Sequence, residues 1–128
     1  MKLLLDTHTL LWFLRNDSRV GTNAKSALLN PANERWLSPI SLLEIAVKLS
    51  IGKLTLHAPF GMLFPAQLEA NRVQLLAIQS GHAEKVASMP LHHRDPFDRL
   101  IVAQALVEDM TLLSVDAVFD AYGVSRIW

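Results

Sequence analysis

The chain lacks cysteine altogether, which excludes disulfide bonds, thiolate metal sites and cysteine nucleophiles. It also lacks a membrane-spanning run, which needs about 18 apolar residues. The longest uncharged stretch, residues 54–68, is interrupted by Pro59, Gly61 and Pro65. A charged leader with a small-residue cleavage site is missing as well. We therefore expect a soluble, unprocessed protein of the cytoplasm.

Neither sign of charge is in excess, since twelve Lys and Arg balance twelve Asp and Glu. Bulk charge therefore does not indicate nucleic-acid binding, which would need the basic residues to be sorted onto one face. The length fits one domain, which we place at residues 1–128. The chain is 51% hydrophobic and its mean hydropathy is +0.25, which indicates that a partner covers part of the surface.

Apolar runs of strand length alternate with longer helical segments. The first of these runs ends abruptly at Asp6 and is typical of a strand buried on both faces of a parallel sheet. This alternation predicts a three-layer α/β/α sandwich with a mostly parallel central sheet. Strands are expected at residues 1–5, 35–38, 73–78, 111–115 and 124–127, and helices at 10–15, 22–29 (capped by Thr22), 39–51, 62–71, 81–88, 96–109 and 117–121.

Four carboxylates fall at a strand's carboxyl end or in the opening turns of a helix: Asp6, Glu44, Asp98 and Asp116. In a parallel sheet those places share one edge, so we expect the four to converge. Each pair of charges at ~4 Å costs about 4 kcal/mol at an effective dielectric near 20, more than helix dipoles recover. A divalent cation would offset this repulsion. Oxygen ligands favour Mg²⁺ or Mn²⁺, which assists attack of water on a phosphodiester.

Each acid also has a structural explanation. Asp6 could cap the following helix, Asp98 could serve the helix dipole, and Asp116 could begin a turn. Asp95 precedes Pro96 and is most simply an N-cap, like Ser38 before Pro39. Glu44 is the hardest to explain in this way, because its neighbours on the predicted helix are apolar.

Basic residues lie on both sides of Asp95 and Asp98 in the sequence. His92 and His93 lie in a turn, where adjacent histidines more often face water, and without cysteine or a helical histidine pair they do not indicate zinc. Arg94 and Arg99 are candidates for contact with substrate phosphates, with a solvated role as the alternative for each.

Four blocks carry a family resemblance: residues 3–8 (LLLDTH), 38–45 (SPISLLEI), 93–105 (HRDPFDRLIVAQA) and 113–119 (LSVDAVF). In these blocks the chain resembles PIN-domain ribonucleases of the VapC-type toxin class, over its whole length and in the family's order. The resemblance implies a Mg²⁺- or Mn²⁺-dependent endoribonuclease that acts on RNA, is commonly a homodimer, and is inhibited by a cognate antitoxin.

The resemblance also assigns residues. Asp6, Glu44, Asp98 and Asp116 match the family's acidic quartet, which implies that they hold the metal and act in catalysis. Asp95 is an additional candidate. Ser114 stands where many relatives have threonine, and a hydroxyl is retained there.

Two other functions remain open. A phosphoryl-transfer domain of the haloacid-dehalogenase type would use Asp6 as its nucleophile, but such a domain normally has a second acid two residues later, where this chain has His8. A non-catalytic interaction module would use the acids as caps and the apolar helices for assembly, and it should not bind Mn²⁺ specifically.

The high hydropathy and the apolar segment at residues 10–15 predict that the isolated chain self-associates. Light scattering at micromolar concentration should therefore give a mass above that of one chain, and a monomer would contradict this expectation.

Overall fold

A single five-stranded sheet organises the chain in a computed structural model that describes residues 1–128. All strand pairs are parallel and the order is β3-β2-β1-β4-β5. The strands are β1 (Lys2–Leu5), β2 (Glu34–Leu37), β3 (Val73–Leu75), β4 (Thr111–Leu113) and β5 (Arg126–Ile127). The helices are α1 (Thr7–Leu14), α2 (Thr22–Leu29), α3 (Pro39–Ser50), α4 (Phe60–Leu63), α5 (Ala66–Ala70), α6 (Ser80–Ser88) and α7 (Pro96–Val107), and a 3₁₀ helix, Ala117–Tyr122, precedes β5. None of these helices has both the length and the apolar character that a membrane crossing requires.

The central strand β1 is buried on both faces, as its sequence predicts. Leu3 and Leu5 point into one core with residues of α1 to α5, whereas Leu4 points into a second core with residues of α6, α7 and the 3₁₀ helix. Successive side chains of a strand alternate between faces, so one short apolar strand contributes to two cores. The predicted three-layer α/β/α architecture is confirmed.

The strand order changes direction between β1 and β4. The chain runs from β1 outward to β2 and β3, then returns to place β4 on the other side of β1. Open parallel sheets form their ligand crevice at the carboxyl ends of the strands at such a switch point. Here two hydrogen bonds join these ends, because Asp6 N (3.0 Å) and Thr9 Oγ1 (2.8 Å) both donate to the carbonyl oxygen of Leu113.

Several predicted boundaries are wrong in detail. The helix expected at residues 62–71 is split into α4 and α5 at Pro65, which lacks an N–H and whose ring does not fit inside a helix. Gly21, rather than Thr22, is the N-cap of α2. The strand expected at 73–78 ends at Leu75, and the strand expected at 111–115 ends at Leu113. The last predicted helix is a 3₁₀ helix.

The start of α3 follows its sequence signal closely. Ser38 Oγ accepts a hydrogen bond from Ile40 N at 3.2 Å, and Pro39 occupies the first turn. After the helix, Gly52 adopts a positive φ of 72°, which a glycine tolerates without strain. These two ends fix where α3 begins and ends beside β2.

The Ser38→Ala variant should lose about 1 kcal/mol of unfolding free energy, because it removes the N-cap acceptor of a buried helix start. Ser50→Ala is a matched control, since that exposed hydroxyl donates only to Val47 O at the other end of the same helix. Urea denaturation measures both. Equal stability of the two variants would contradict the capping role.

Candidate active site

Asp6 lies buried at the carboxyl end of β1 and is the N-cap of α1. Its Oδ1 accepts a hydrogen bond from Thr7 N and its Oδ2 accepts one from Ser114 Oγ, both at 2.8 Å. Ser114 is fully buried just beyond β4, so this contact bridges the switch point. Burial raises the pKa of Asp6 and the charge of Glu44 adds to this, against the opposing effect of the two hydrogen bonds and of His8.

Glu44 lies on α3 with only 3% of its surface exposed. Its Oε1 accepts a hydrogen bond from Thr7 Oγ1 and its Oε2 contacts Lys48 Nζ, both at 2.7 Å. Thr7 Oγ1 also lies 2.9 Å from Ser41 Oγ. The acid that had the weakest structural explanation in the sequence is thus buried within a polar network next to Asp6.

Asp98 completes this group from the first turn of α7. Its Oδ2 lies 2.7 Å from His93 Nε2. Burial raises the pKa of Asp98 to about 6, with further contributions from the charges of Asp6, Asp95 and Glu44, while the contact with His93 acts in the opposite direction. The structure therefore brings these four carboxylates into one electrostatic neighbourhood. Asp95 is at the same time the N-cap of α7, accepting hydrogen bonds from Phe97 N and Asp98 N.

Asp116 lies at the same edge of the sheet, but its carboxylate makes different contacts from those of Asp6, Glu44 and Asp98. Its backbone N donates to Ser114 Oγ at 3.1 Å, which links it indirectly to Asp6. Its own carboxylate caps the 3₁₀ helix by accepting a hydrogen bond from Val118 N at 3.1 Å. The structural role considered for Asp116 is therefore present, and its charge is not among those that raise the pKa of Asp6 or Asp98.

The two arginine candidates differ sharply. Arg94 is exposed. Arg99 instead donates to the carbonyl oxygens of Pro90 and Val86 at 3.0 Å and to Tyr122 Oη at 3.2 Å, among other acceptors. These bonds hold the segment before α7 against the helix. The structure thus favours a structural role for Arg99 over either role that the sequence suggested.

The sequence singles out neither Thr7 nor Lys48, and for His93 it indicates only a water-facing position. The i, i+4 spacing of Glu44 and Lys48 was an available signal for an ion pair. The expectation that both histidines face water is wrong for His93, whose ring packs edge-on against Phe119 at 5.6 Å and contacts Asp98. Nothing in the sequence pointed to the bond between Thr7 and Glu44, which are 37 residues apart.

The donor set suits a hard divalent cation, because its side-chain ligands are carboxylate oxygens. Burial is the main cause of the raised pKa of Asp6 and of Asp98, and the charges of neighbouring acids add to it. No three His, Asp or Glu side chains are yet arranged around a common point that could hold an ion. Instead, Lys48 contacts one oxygen of Glu44, and His93 contacts one oxygen of Asp98. Carboxylates are the type of ligand that Mg²⁺ and Mn²⁺ prefer. The contacts that Lys48 and His93 make with Glu44 and Asp98 would have to break before an ion could bind there.

The Asp98→Asn variant tests the cost of partly burying a charged Asp98 beside other carboxylates in the metal-free protein. Folding raises the pKa of Asp98 from 3.8 to about 6, so the folded state holds the proton of this carboxyl group more tightly than the unfolded state does. The resulting contribution to stability is fully present below pH 3.8, the unfolded pKa, and is lost as the pH rises through about 6, the folded pKa. In EDTA near pH 7.5 we expect the variant to be more stable than the wild type by about 1 kcal/mol, allowing for solvent screening.

Near pH 4 that difference should disappear, because the carboxyl group is then largely protonated in the folded protein. Urea denaturation at both pH values measures it, with the exposed Asp109→Asn as a control that should not gain stability. A variant that is less stable than the wild type by the same amount at both pH values would contradict this cost of burial.

Comparison with known proteins places this geometry in a family. The model of the PIN domain matches residues 3–124. Similar solved chains come from VapBC2 of Rickettsia felis bound to a promoter DNA fragment (TM-score 0.73, 15% identity, 99% of this chain and 98% of that one) and from DNA-bound VapBC of Salmonella typhimurium (0.72, 18%, 99% and 97%). A toxin–antitoxin complex from Klebsiella pneumoniae is also similar (0.63, 18%, 98% and 96%).

A search of curated protein sequences gives no match. The likenesses to solved structures are all below 25% identity, so they establish the shared fold. The family match rests on the sequence and spans every residue of the acidic group described above. The chain therefore belongs to the PIN domain family.

Proposed function

We propose that residues 1–128 form a single nuclease domain, a Mg²⁺- or Mn²⁺-dependent endoribonuclease that hydrolyses RNA phosphodiester bonds. The observation that carries the proposal is the position of buried Asp6 and Glu44 and partly buried Asp98 at the switch point of a parallel sheet, where the charges of Asp6 and Glu44 help to raise the pKa of Asp98. Membership of the PIN domain family supports a nuclease over a phosphoryl-transfer domain of the haloacid-dehalogenase type. The latter also requires a second acid two residues after Asp6, where this chain has His8.

Asp6, Glu44, Asp98 and Asp116 are the residues that would hold the ion. When bound, such an ion orients a water molecule and neutralises charge on the phosphodiester. The chain's own task is to fix the carboxylates. Ser114 orients Asp6 through its hydroxyl, and hydrogen-bonded support of this kind often controls the affinity of a metal site.

The remaining candidates have narrower roles in this proposal. Asp95 adds negative charge next to Asp98 while capping α7. Arg94 is exposed in the turn that carries His93, so its guanidinium could contact a substrate phosphate without breaking any bond within the chain. Arg99 would have to give up bonds that hold the turn, so we assign it no contact with substrate.

Two partners belong to the proposal: a cognate antitoxin protein and a second copy of the chain. The antitoxin is supported by the likeness to chains of VapBC and toxin–antitoxin complexes, and in this proposal the chain is the toxin of such a pair. Self-association is supported by the exposed face of α3, where Leu43 and Ile51 are more than half exposed. In contrast, residues 11–14 of α1, which belong to the apolar segment from which the sequence predicts self-association, are partly buried within the chain.

The Asp6→Asn variant tests the proposed activity. Assorted RNAs are incubated with the protein in Mg²⁺ or EDTA and the product ends are mapped. We expect cleavage only with Mg²⁺, and a loss of roughly a hundredfold or more in the variant, because a charge that would hold the ion is removed. Asparagine also caps helices well, so the fold should persist.

Asp109→Asn is the matched control, because that exposed acid lies beyond the far end of α7 and has a φ of 52°, which asparagine tolerates. It should cleave like the wild type. Undiminished cleavage by Asp6→Asn would remove Asp6 from the mechanism. A wild-type chain that neither cleaves RNA nor binds Mn²⁺ better than a control protein would support the non-catalytic module instead.

A further inference from the structure

Lys48 is the lysine that reaches into the acidic group. It follows Glu44 by one helical turn of α3, and its Nζ lies 2.7 Å from Glu44 Oε2. The side chain of Lys48 is 33% exposed whereas that of Glu44 is 4% exposed. The ammonium group therefore approaches the buried carboxylate from the solvent side.

Glu44 depends on this contact for its charge balance. Its other oxygen accepts a hydrogen bond from the neutral hydroxyl of Thr7, so no second cation contacts it. A buried carboxylate without a partner charge is strongly unfavourable. In this structure Lys48 supplies that charge.

Lys48 also interacts electrostatically with Asp95 and Asp98. Desolvation lowers the pKa of Lys48, but the contact with Glu44 and the charges of Asp95 and Asp98 outweigh it and raise the pKa overall. Lys48 thus pairs directly with Glu44 and interacts at longer range with Asp95 and Asp98. A divalent ion would occupy the same electrostatic position.

We propose that Lys48 is the resident counter-ion of the metal-free site and competes with the divalent cation for Glu44. This inference rests on the proposed function, because it takes the carboxylates to be metal ligands. An ammonium group and a divalent cation repel each other, so they do not share Glu44 without a loss of binding free energy. The flexible, partly exposed lysine stem allows the ammonium group to withdraw into solvent when the ion binds.

Competition between Lys48 and the metal ion for Glu44 has two consequences: Lys48 favours folding of the metal-free chain, and it opposes binding of the ion. Without metal, Lys48 stabilises the folded chain by pairing with a buried charge. With metal, its displacement lowers the affinity of the site for the ion. A purely structural salt bridge would show the first consequence and not the second.

The test is calorimetric titration of Mn²⁺ into the wild type and Lys48→Met. We expect the dissociation constant to fall roughly tenfold in the variant, because the competing charge is gone. In EDTA the same variant should unfold at a temperature lower by about 4 °C, because Glu44 loses its partner. Lys53→Met is the matched control, since Lys53 is an exposed lysine outside the acidic group and neither quantity should change.

The possible results separate the two claims. Unchanged or weaker Mn²⁺ binding by Lys48→Met, with normal binding by the wild type, overturns the competition and leaves the proposed function intact. Absence of Mn²⁺ binding by both proteins overturns the metal-dependent function and this inference with it. If Lys48→Met does not fold, Lys48→Gln keeps a donor for Glu44 without the charge, and tighter Mn²⁺ binding is again required.

Discussion

The structure depends on one unfavourable constraint, the burial of several carboxylates at a single point of the sheet. Asp6 and Glu44 are nearly inaccessible to solvent, and Asp98 has a pKa raised to about 6 by burial and by its acidic neighbours. Nothing in the packing of a small α/β domain requires this arrangement. It costs stability, and the surrounding residues are organised to limit that cost.

Each buried acid has a specific partner for this purpose. Ser114 and the amide of Thr7 hold Asp6, Thr7 and Lys48 hold Glu44, and His93 contacts Asp98. Asp6 and Ser114 follow the carboxyl ends of β1 and β4, Thr7 begins α1, Lys48 lies in the last turn of α3, and His93 precedes α7. The fold's contribution to function is therefore positional, because a parallel sheet that changes direction between β1 and β4 gathers these ends at one edge.

The sequence was sufficient for the layered fold and for the approximate place of each acid. Two apolar strands that each end near a carboxylate locate the edge, since Leu5 is followed by Asp6 and Leu113 is followed by Ser114, Val115 and Asp116. The Ser38-Pro39 and Asp95-Pro96 pairs locate the helix starts. The partners were not predictable in the same way. The contact between Thr7 and Glu44 depends on how α1 and α3 pack, and local periodicity carries no information about that.

The structure also distinguishes residues that the sequence treats alike. Arg94 and Arg99 are equivalent candidates in the chain, yet only Arg99 is bound to backbone carbonyls. Asp98 and Asp116 both lie near a helix or strand boundary, yet the carboxylate of Asp116 caps a 3₁₀ helix while that of Asp98 contacts His93 and has its pKa raised by burial and by other acids. Such differences arise from tertiary packing, which decides whether a polar group is used for capping or left for a ligand.

We expect these carboxylates to form one site for a divalent ion, which an anomalous difference map from crystals soaked in Mn²⁺ would reveal directly. A peak should lie in contact with carboxylate oxygens of both Asp6 and Asp98, with Lys48 moved away from Glu44. A map with no peak there, in crystals where Lys48 still pairs with Glu44, would contradict this expectation.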